Sequence, residues 1–264
     1  MDWNRTKSIF ILVFFILNVF LLYQLLDKIN ENRFQLITET SIEELLKEED
    51  IKYVPLPKQK VQEQFLMAKS KTFKEKELPK MDNQELKVMD GTTLSGTFKK
   101  PLTISQNIQS SELETLVKEQ MMAGDEYKFY KYDETLKTIT FYQVYDKKMF
   151  YNNSKGKITL FLNSKGEIDS YEQTYLENIE KYNKQKELVL PIKAIEVLYR
   201  EGDLMPKSNI TKVELGFYNS LQTPSQSHLF VPAWRVAVEG KDDLFVNAFD
   251  GEVIELNTEE KILE

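Results

Sequence analysis

The sequence contains no cysteine and only one histidine, His228, among its 264 residues. Without cysteine there is neither a disulfide framework nor a thiolate metal site. One histidine also falls short of the ligand set that an ordinary zinc site needs. His228 is the only candidate base for a histidine-based triad. Ser225 and Ser227 are nearby in "LQTPSQSHLF", but a serine beside a histidine in sequence is not a triad geometry. This stretch instead predicts a polar hairpin loop between two strands.

The sequence also lacks an excess of positive charge, and it lacks the composition of a disordered chain. The 35 lysine and arginine residues are dispersed and are outnumbered by 42 aspartate and glutamate residues, which gives a formal net charge of −7. This balance argues against a nucleic-acid partner. With nine glycines, eight prolines, 12% aromatic residues and no low-complexity segment, the composition indicates a packed domain and not a disordered stalk.

Acidic residues are abundant, so counting alone does not exclude a catalytic pair of carboxylates. A glycosidase that acts on the cell wall would need two of them facing each other across a cleft. Nothing in the sequence singles out such a pair, and there is no glycine-rich phosphate loop. Glu167 and Glu252 recur after similar turns, where solubility residues of strand edges are typical. We therefore predict that the chain is not an enzyme and has no catalytic, metal-binding or cofactor-binding residues and no cofactor.

One long apolar run stands out in this otherwise polar chain. Ile9 to Leu26 carries no charge and no proline, and as a helix it would span about 27 Å, close to the thickness of a bilayer core. No small-residue cleavage site and no lipobox follow it, which predicts an uncleaved transmembrane anchor. Arg5 and Lys7 favour a cytoplasmic N-terminus. Since Lys28 and Arg33 nearly balance them, the predicted outside location of the C-terminal part rests mainly on the single span, and a cytoplasmic location stays the alternative.

A polar residue near the middle of this run marks a candidate contact with another helix. An amide is costly in hydrocarbon, and Asn18 lies on a face with three-four spacing. We predict that this face binds the transmembrane helix of a partner through the residues Ile11, Phe14, Asn18, Leu21 and Leu25. The alternative is that the membrane tolerates Asn18 and that its side chain bonds the helix backbone.

The remainder predicts an α+β ectodomain of two units, each a helix laid on an antiparallel sheet. Helices are predicted in "SSELETLVKEQMMAG", with the apolar stripe Leu113, Leu116, Val117 and Met121, and in "LPIKAIEVLYREGD". Both precede alternating strands, and "KITLFLNSKGEI" resembles "DLFVNAFDGEVI". A chance resemblance between ordinary hairpins is the alternative. The predicted division is a cytoplasmic tail (1–8), a transmembrane helix (9–26), a juxtamembrane linker (27–40), a first α+β unit (41–183) and a second α+β unit (184–264).

Two shorter patterns add detail. The pair Asp90-Gly91 in "ELKVMDGTTLSGTF" predicts a hairpin with a tight turn. Phe141 with Ile139 on one face, and Tyr142 with Val144 on the other, predict a strand that is covered on both sides. Such a strand is consistent with a protein partner, although packing within the fold is the better explanation for any single aromatic residue.

Three stretches of the sequence together resemble the YycI (WalI) family of regulatory proteins. They are "MDWNRTKSIFILVFFILNVFLLYQ", "SIEELLKEEDIKY" and "FVPAWRVAVEG", and the resemblance covers nearly the whole chain. It implies a single-pass protein of the cell membrane in low-GC Gram-positive bacteria, with its C-terminal part outside. It also implies signal transduction with a YycH-like membrane protein, acting on the sensor histidine kinase YycG (WalK) of the two-component system that governs cell-wall metabolism.

The resemblance carries structural expectations as well. The ectodomain is expected to be similar to two of the three domains of YycH, and Ile210 to Asn257 to a small PepSY-like module. Two other functions stay open at this point. One is an extracytoplasmic enzyme or inhibitor that acts on the cell wall with an unrecognised carboxylate pair. The other is a component of a structural assembly or secretion system.

Overall fold

The computed structural model describes residues 3–34, 42–104, 109–219 and 226–255, with the side chains of 7–24 in the first range. The prediction for Ser41 as a helix cap lies outside these residues. The chain divides into two compact units, Met1–Asp50 and Ile51–Glu264. Each unit is described by itself below.

The described residues of the N-terminal unit form two helices. Helix α1 (Trp3–Phe34) contains the predicted anchor and runs on beyond it, which a polar continuation with good helix formers permits. The window Lys7–Gln24 is long and apolar enough to cross a membrane, with a mean hydropathy of 2.0. Helix α2 (Ile42–Glu48) is short and buries Leu46.

The C-terminal unit is a mixed α+β structure built around one large sheet. Its helices are α3 (Ser110–Gln120) and α4 (Pro191–Arg200), with single 3₁₀ turns at Glu75–Glu77 and Gly124–Glu126. Its strands in chain order are β1 (Lys52–Tyr53), β2 (Gln62–Ser70), β3 (Gln84–Met89), β4 (Thr93–Leu102), β5 (Tyr127–Asp133), β6 (Thr138–Tyr145), β7 (Lys148–Tyr151), β8 (Lys157–Leu162), β9 (Ile168–Gln173), β10 (Leu176–Glu187), β11 (Asn209–Asn219), β12 (Ser227–Val238), β13 (Leu244–Asn247) and β14 (Val253–Ile254). These elements confirm the α+β class.

The strands form one path with the order β10-β2-β12-β11-β7-β6-β8-β9-β4-β3. Strand β7 joins the two halves of this path, because it pairs with β6 in a hairpin and runs parallel to β11. Strand β5 pairs with β6, and β13 pairs with β12 and β14. Both α3 and α4 are therefore followed by an antiparallel run, β5-β6-β8-β9 after α3 and β11-β12-β13-β14 after α4.

Helix α3 covers one face of the first run. Its predicted stripe is confirmed, because Leu113, Val117 and Met121 are buried and Leu116 is partly buried in one cluster with strand residues. That cluster includes Phe141 and Ile139, so this side of β6 faces the helix. The β3–β4 hairpin is confirmed too. Asp90 and Gly91 take φ values of 47° and 77° at its turn, which suits a type I′ turn.

Helix α4 begins at Pro191, in the first turn, where proline costs no hydrogen bond. Ile195 and Leu198 of this helix are fully buried. Glu196 is also buried, and it binds Lys193 at 3.1 Å and Arg200 at 2.9 Å, one turn away on either side. Trp234 of β12 donates a hydrogen bond to the carbonyl of Val189, just before the helix.

The structure bears on two further sequence predictions. Residues 167–176 are divided between β9 and β10. Strand β10 continues to Glu187, so the predicted boundary between residues 183 and 184 falls inside it, and the division into units 41–183 and 184–264 stays a prediction. His228 lies within β12 opposite Ala68 of β2, and not in a polar loop, because pairing with β2 buries this end of β12.

Candidate functional site

The predicted contact face on α1 is exposed along its described part. Ile11, Phe14 and Leu21 each leave half or more of their surface uncovered. A shallow recess of about 450 Å³ lies along this face, lined by Phe10, Ile11, Phe14, Phe15 and Asn18. The side chain of Leu25 lies outside the described residues. Use of this face for partner binding therefore stays a prediction.

Asn18 makes a hydrogen bond within its own helix. Its Nδ2 donates to the carbonyl oxygen of Phe14 at 2.8 Å, as the alternative interpretation expected. An amide has two donor hydrogens and an acceptor oxygen, so one backbone bond uses only part of its capacity. The second hydrogen and the oxygen remain suited to a hydrogen bond across to another helix.

A buried arginine is the centre of a charged cluster in the C-terminal unit. Arg235 of β12 is only 7% exposed. Its Nε donates to Asp243 at 2.6 Å, and one terminal nitrogen donates to Glu214 at 2.8 Å. The guanidinium also lies 4.8 Å from the ring centre of Tyr130 and 5.7 Å from that of Tyr151. The cluster thus joins the antiparallel run β5-β6-β8-β9 to the run β11-β12-β13-β14. We call each run, with the helix that precedes it, the α3 half and the α4 half.

The electrostatics of this cluster follow from burial and from the two carboxylates. Burial alone would lower the pKa of Arg235, but the hydrogen bond and charge of Asp243 outweigh it and raise the pKa. Burial, followed by the charge of Asp243, raises the pKa of Tyr130, and burial with the charge of Glu214 raises the pKa of Tyr151. The arginine is therefore a fixed cation, and both tyrosines stay neutral at physiological pH.

Sequence reasoning missed this cluster. Alternation in β12 predicts that Arg235 and Ala237 lie on a solvent face, whereas both are buried. The reason is a second covering layer. Tyr130 and Tyr142 lie with ring centres 4.8 Å apart, in contact with Tyr151. These tyrosines cover the face of the sheet opposite α3, so the two-sided strand β6 is packed on both sides by the chain itself. The available signal was a charged residue between Trp234 and Val236, inside a long apolar strand.

His228 is buried beside a serine that is distant in sequence. Its Nε2 lies 2.7 Å from Ser70 Oγ, and its Nδ1 has no hydrogen-bond partner among the described residues. Burial, followed by the positive charge of Lys155, lowers its pKa. The imidazole is therefore neutral near pH 7 and acts here as part of the packing between β2 and β12.

The two recurring turns are closed by similar hydrogen bonds, but the second turn is one residue longer than the first. The amide of Asn163 donates to the carbonyl of Glu167, and the amide of Asn247 donates to the carbonyl of Glu252. Glu167 also accepts a bond from Asn163 Nδ2, and Glu252 is exposed at its strand end. In the described parts of the chain, no group of three or more histidine, aspartate or glutamate side chains is placed to hold a metal ion.

Comparison with known proteins identifies the family. The YycI protein family matches residues 30–249, the main body of the chain. The chain therefore belongs to the YycI family, as the sequence resemblance predicts, and this is a regulatory, non-enzymatic family. No curated protein matches the chain.

Solved structures show more distant likenesses. An uncharacterized protein from Eubacterium rectale is 10% identical over 78% of this chain and 89% of its own, with a TM-score of 0.42. YycH from Bacillus subtilis is 16% identical over 73% of this chain and 53% of its own, with a TM-score of 0.40. The C-terminal domain of YpeB from Bacillus megaterium is 10% identical over 83% and 96%, with a TM-score of 0.37.

Proposed function

We propose that the chain is a membrane-anchored regulatory subunit that modulates a YycG (WalK) sensor histidine kinase together with a YycH-like membrane protein. The observation that carries this proposal is the family match over residues 30–249. The kinase would control cell-wall metabolism through its two-component system. The regulatory complex would form in the membrane and outside it, with no nucleic acid and no cofactor.

The anchor supports this proposal. A helix with one window suited to crossing a membrane agrees with a single-pass protein. We place the N-terminus in the cytoplasm and the C-terminal unit outside, because Arg5 and Lys7 precede the span. A reporter enzyme that is active only outside the cytoplasm, fused after Glu264, tests this orientation. Reporter activity is expected. An inactive but well-expressed fusion would show that the C-terminal unit lies in the cytoplasm.

The exposed face of α1 supplies the proposed contact within the membrane. Apolar side chains on three-four spacing fit against a second helix, and the amide of Asn18 adds a hydrogen bond worth about 0.6–2 kcal/mol. The kinase and the YycH-like protein would each present a transmembrane helix to this face. The same arrangement explains why the helix carries an amide in mid-span at all.

Co-purification tests the proposal directly. The tagged full-length chain, extracted from membranes in mild detergent, is expected to retain both the YycH-like protein and the kinase. Replacing Ile9–Leu26 by polyleucine should weaken this retention, and so should Asn18→Leu, whereas Val19→Leu off the face should not. If the native chain retained neither protein although it stayed folded, the proposal would be wrong. If the polyleucine variant retained both fully, the span would be only a tether.

A further inference from the structure

The two recurring hairpins differ in what lies on their outer edge. Strand β9 follows the first turn and is paired on both sides, with β8 on one side and β4 on the other. Strand β14 follows the second turn and, among the described residues, pairs only with β13. The position that β4 occupies beside β9 thus has no strand beside β14 in the described part of the chain.

A groove of about 780 Å³ lies at this open edge, between α4 and β14. We call it the α4–β14 groove. Its apolar lining comes from Val197 of α4 and from Leu244, Val253 and Ile254 of the two strands, all partly exposed. Strand β14 is two residues long and pairs only with β13 among the described residues, so its outer edge offers a short stretch of backbone for a further strand. An apolar lining beside such an edge is the arrangement that binds extended peptides by strand addition.

Every charged residue that lines the groove is acidic: Glu201, Asp203, Asp243, Glu252 and Glu255. Arg235 compensates Asp243. No ion pair among the described residues compensates the other four. Their combined field favours a cationic occupant and disfavours an acidic one. The chain's own segment after Glu255, "LNTEEKILE", carries more acidic than basic residues, so its charge does not match the groove.

We propose that the α4–β14 groove binds an extended, basic segment of a partner protein, which adds to β14 as β4 adds to β9. The segment would alternate apolar residues, directed to the groove lining, with lysine or arginine residues directed to the carboxylates. The inference rests on the proposed function, because it assigns a surface to the partner contact outside the membrane. It goes beyond that function by stating the conformation and the charge of what is bound.

A peptide-binding measurement tests the inference without the kinase. The full-length chain in phosphatidylcholine nanodiscs is titrated against a fluorescent peptide of about eight alternating lysine and valine residues. Saturable binding that weakens with added salt is expected. A peptide with a central proline should bind at least about tenfold more weakly, because it loses a strand hydrogen bond. A glutamate–valine peptide should not bind.

Matched variants locate the site. Glu201→Gln with Glu252→Gln should weaken binding about three- to tenfold, as expected from losing two surface ion pairs. Glu112→Gln with Glu119→Gln makes the same charge change on the exposed side of α3 and should leave binding unchanged. Equal weakening by both pairs, or equal binding of the proline peptide, would overturn the inference.

The remaining occupant is the chain's own C-terminal segment. If the full-length chain bound no peptide but a chain ending at Glu255 did, the groove would belong to that segment, and the inference would be wrong. Peptide binding that fails while YycH-like protein and kinase still co-purify would overturn the groove assignment alone. Failure of co-purification would count against the proposed function instead.

Discussion

The α3 half and the α4 half of the sheet follow the same plan but are stabilised by different chemistry. Under α3, buried polar groups are neutral. The side-chain amide of Gln143 bonds both backbone groups of Leu176, at 2.8 and 2.9 Å, and Tyr171 donates to Gln84 at 2.8 Å. In the α4 half, the buried polar centre is ionic, with Arg235 between Asp243 and Glu214.

The two halves also differ at the strand that follows each recurring turn, β9 in the α3 half and β14 in the α4 half. In the α3 half, β9 is paired on both sides, and the backbone N–H of Phe129 on β5 donates to the carboxylate of Glu114 on α3. In the α4 half, β14 pairs only with β13 among the described residues, and the acidic α4–β14 groove lies at its open edge. Strand edges that are free to pair are sites where another chain can add. The comparison shows that β9 is enclosed between two strands, whereas β14 pairs with one strand among the described residues and lies beside an acidic groove.

Removing the buried arginine should have the largest effect on stability. Arg235→Ala removes a buried side chain and leaves the partly buried carboxylate of Asp243 without its cation, so the free energy of unfolding should fall by about 3–5 kcal/mol. Urea denaturation followed by circular dichroism measures it. Lys212→Ala on the exposed side of β11 is the control, with a change within about 0.5 kcal/mol. A loss below about 1 kcal/mol for Arg235→Ala would mean that the ionic centre does not stabilise the α4 half.

Removing the neutral buried side chain of Gln143 should lower the free energy of unfolding less than removing Arg235. Gln143→Leu keeps the volume but leaves the backbone groups of Leu176 unpaired, with an expected loss of about 1–3 kcal/mol. The same denaturation measurement applies, with Gln62→Leu at an exposed position of β2 as the control. If Gln143→Leu cost more than Arg235→Ala, the contrast between the two halves would be reversed.

His228 should make stability depend on pH. Its pKa is lowered in the folded state, so the unfolded chain binds the proton more readily. The stabilising difference is complete above the unfolded pKa of about 6.5 and is lost as pH falls toward the folded pKa, by at most about 1.4 kcal/mol per pH unit. Denaturation across this range should show a slope for the native chain that His228→Gln reduces. Identical slopes would show that other groups, such as carboxylates, carry the pH dependence.

An exposed ion pair should matter least. Lys60, just before β2, pairs with Glu187 at the end of β10 at 2.5 Å, but both side chains are more than half exposed. Lys60→Ala should therefore change the free energy of unfolding by no more than about 1 kcal/mol, and less at high salt. A larger change would mean that the pairing of β10 with β2 is stabilised by charge, as the packing around Arg235 is.

Local patterns predicted much of the fold. The stripe of α3 and the Asp90-Gly91 turn are correct because helix period and turn geometry are set by neighbours in sequence. The same reasoning failed where distant segments meet. Alternation could not show that a tyrosine layer covers Arg235, nor that pairing with β2 buries His228. The open edge of β14 was also beyond prediction, because it depends on which strand lies beside which.

The α1 face illustrates the same limit for the candidate site. Spacing placed Ile11, Phe14 and Asn18 on one side of the helix, and the recess lies there. Whether a partner helix fills it depends on a second protein, which no pattern in this chain specifies. The bond from Asn18 to Phe14 is compatible with either use of the face.

Kinase output in living cells is the most direct test of the central claim. A reporter driven by a promoter that depends on the YycG (WalK) system is measured with the gene for this chain intact, deleted and restored. The account predicts that deletion changes the output and that the full-length chain restores it. Unchanged output after deletion, in cells that still contain the kinase and the YycH-like protein, would contradict a regulatory role for this chain.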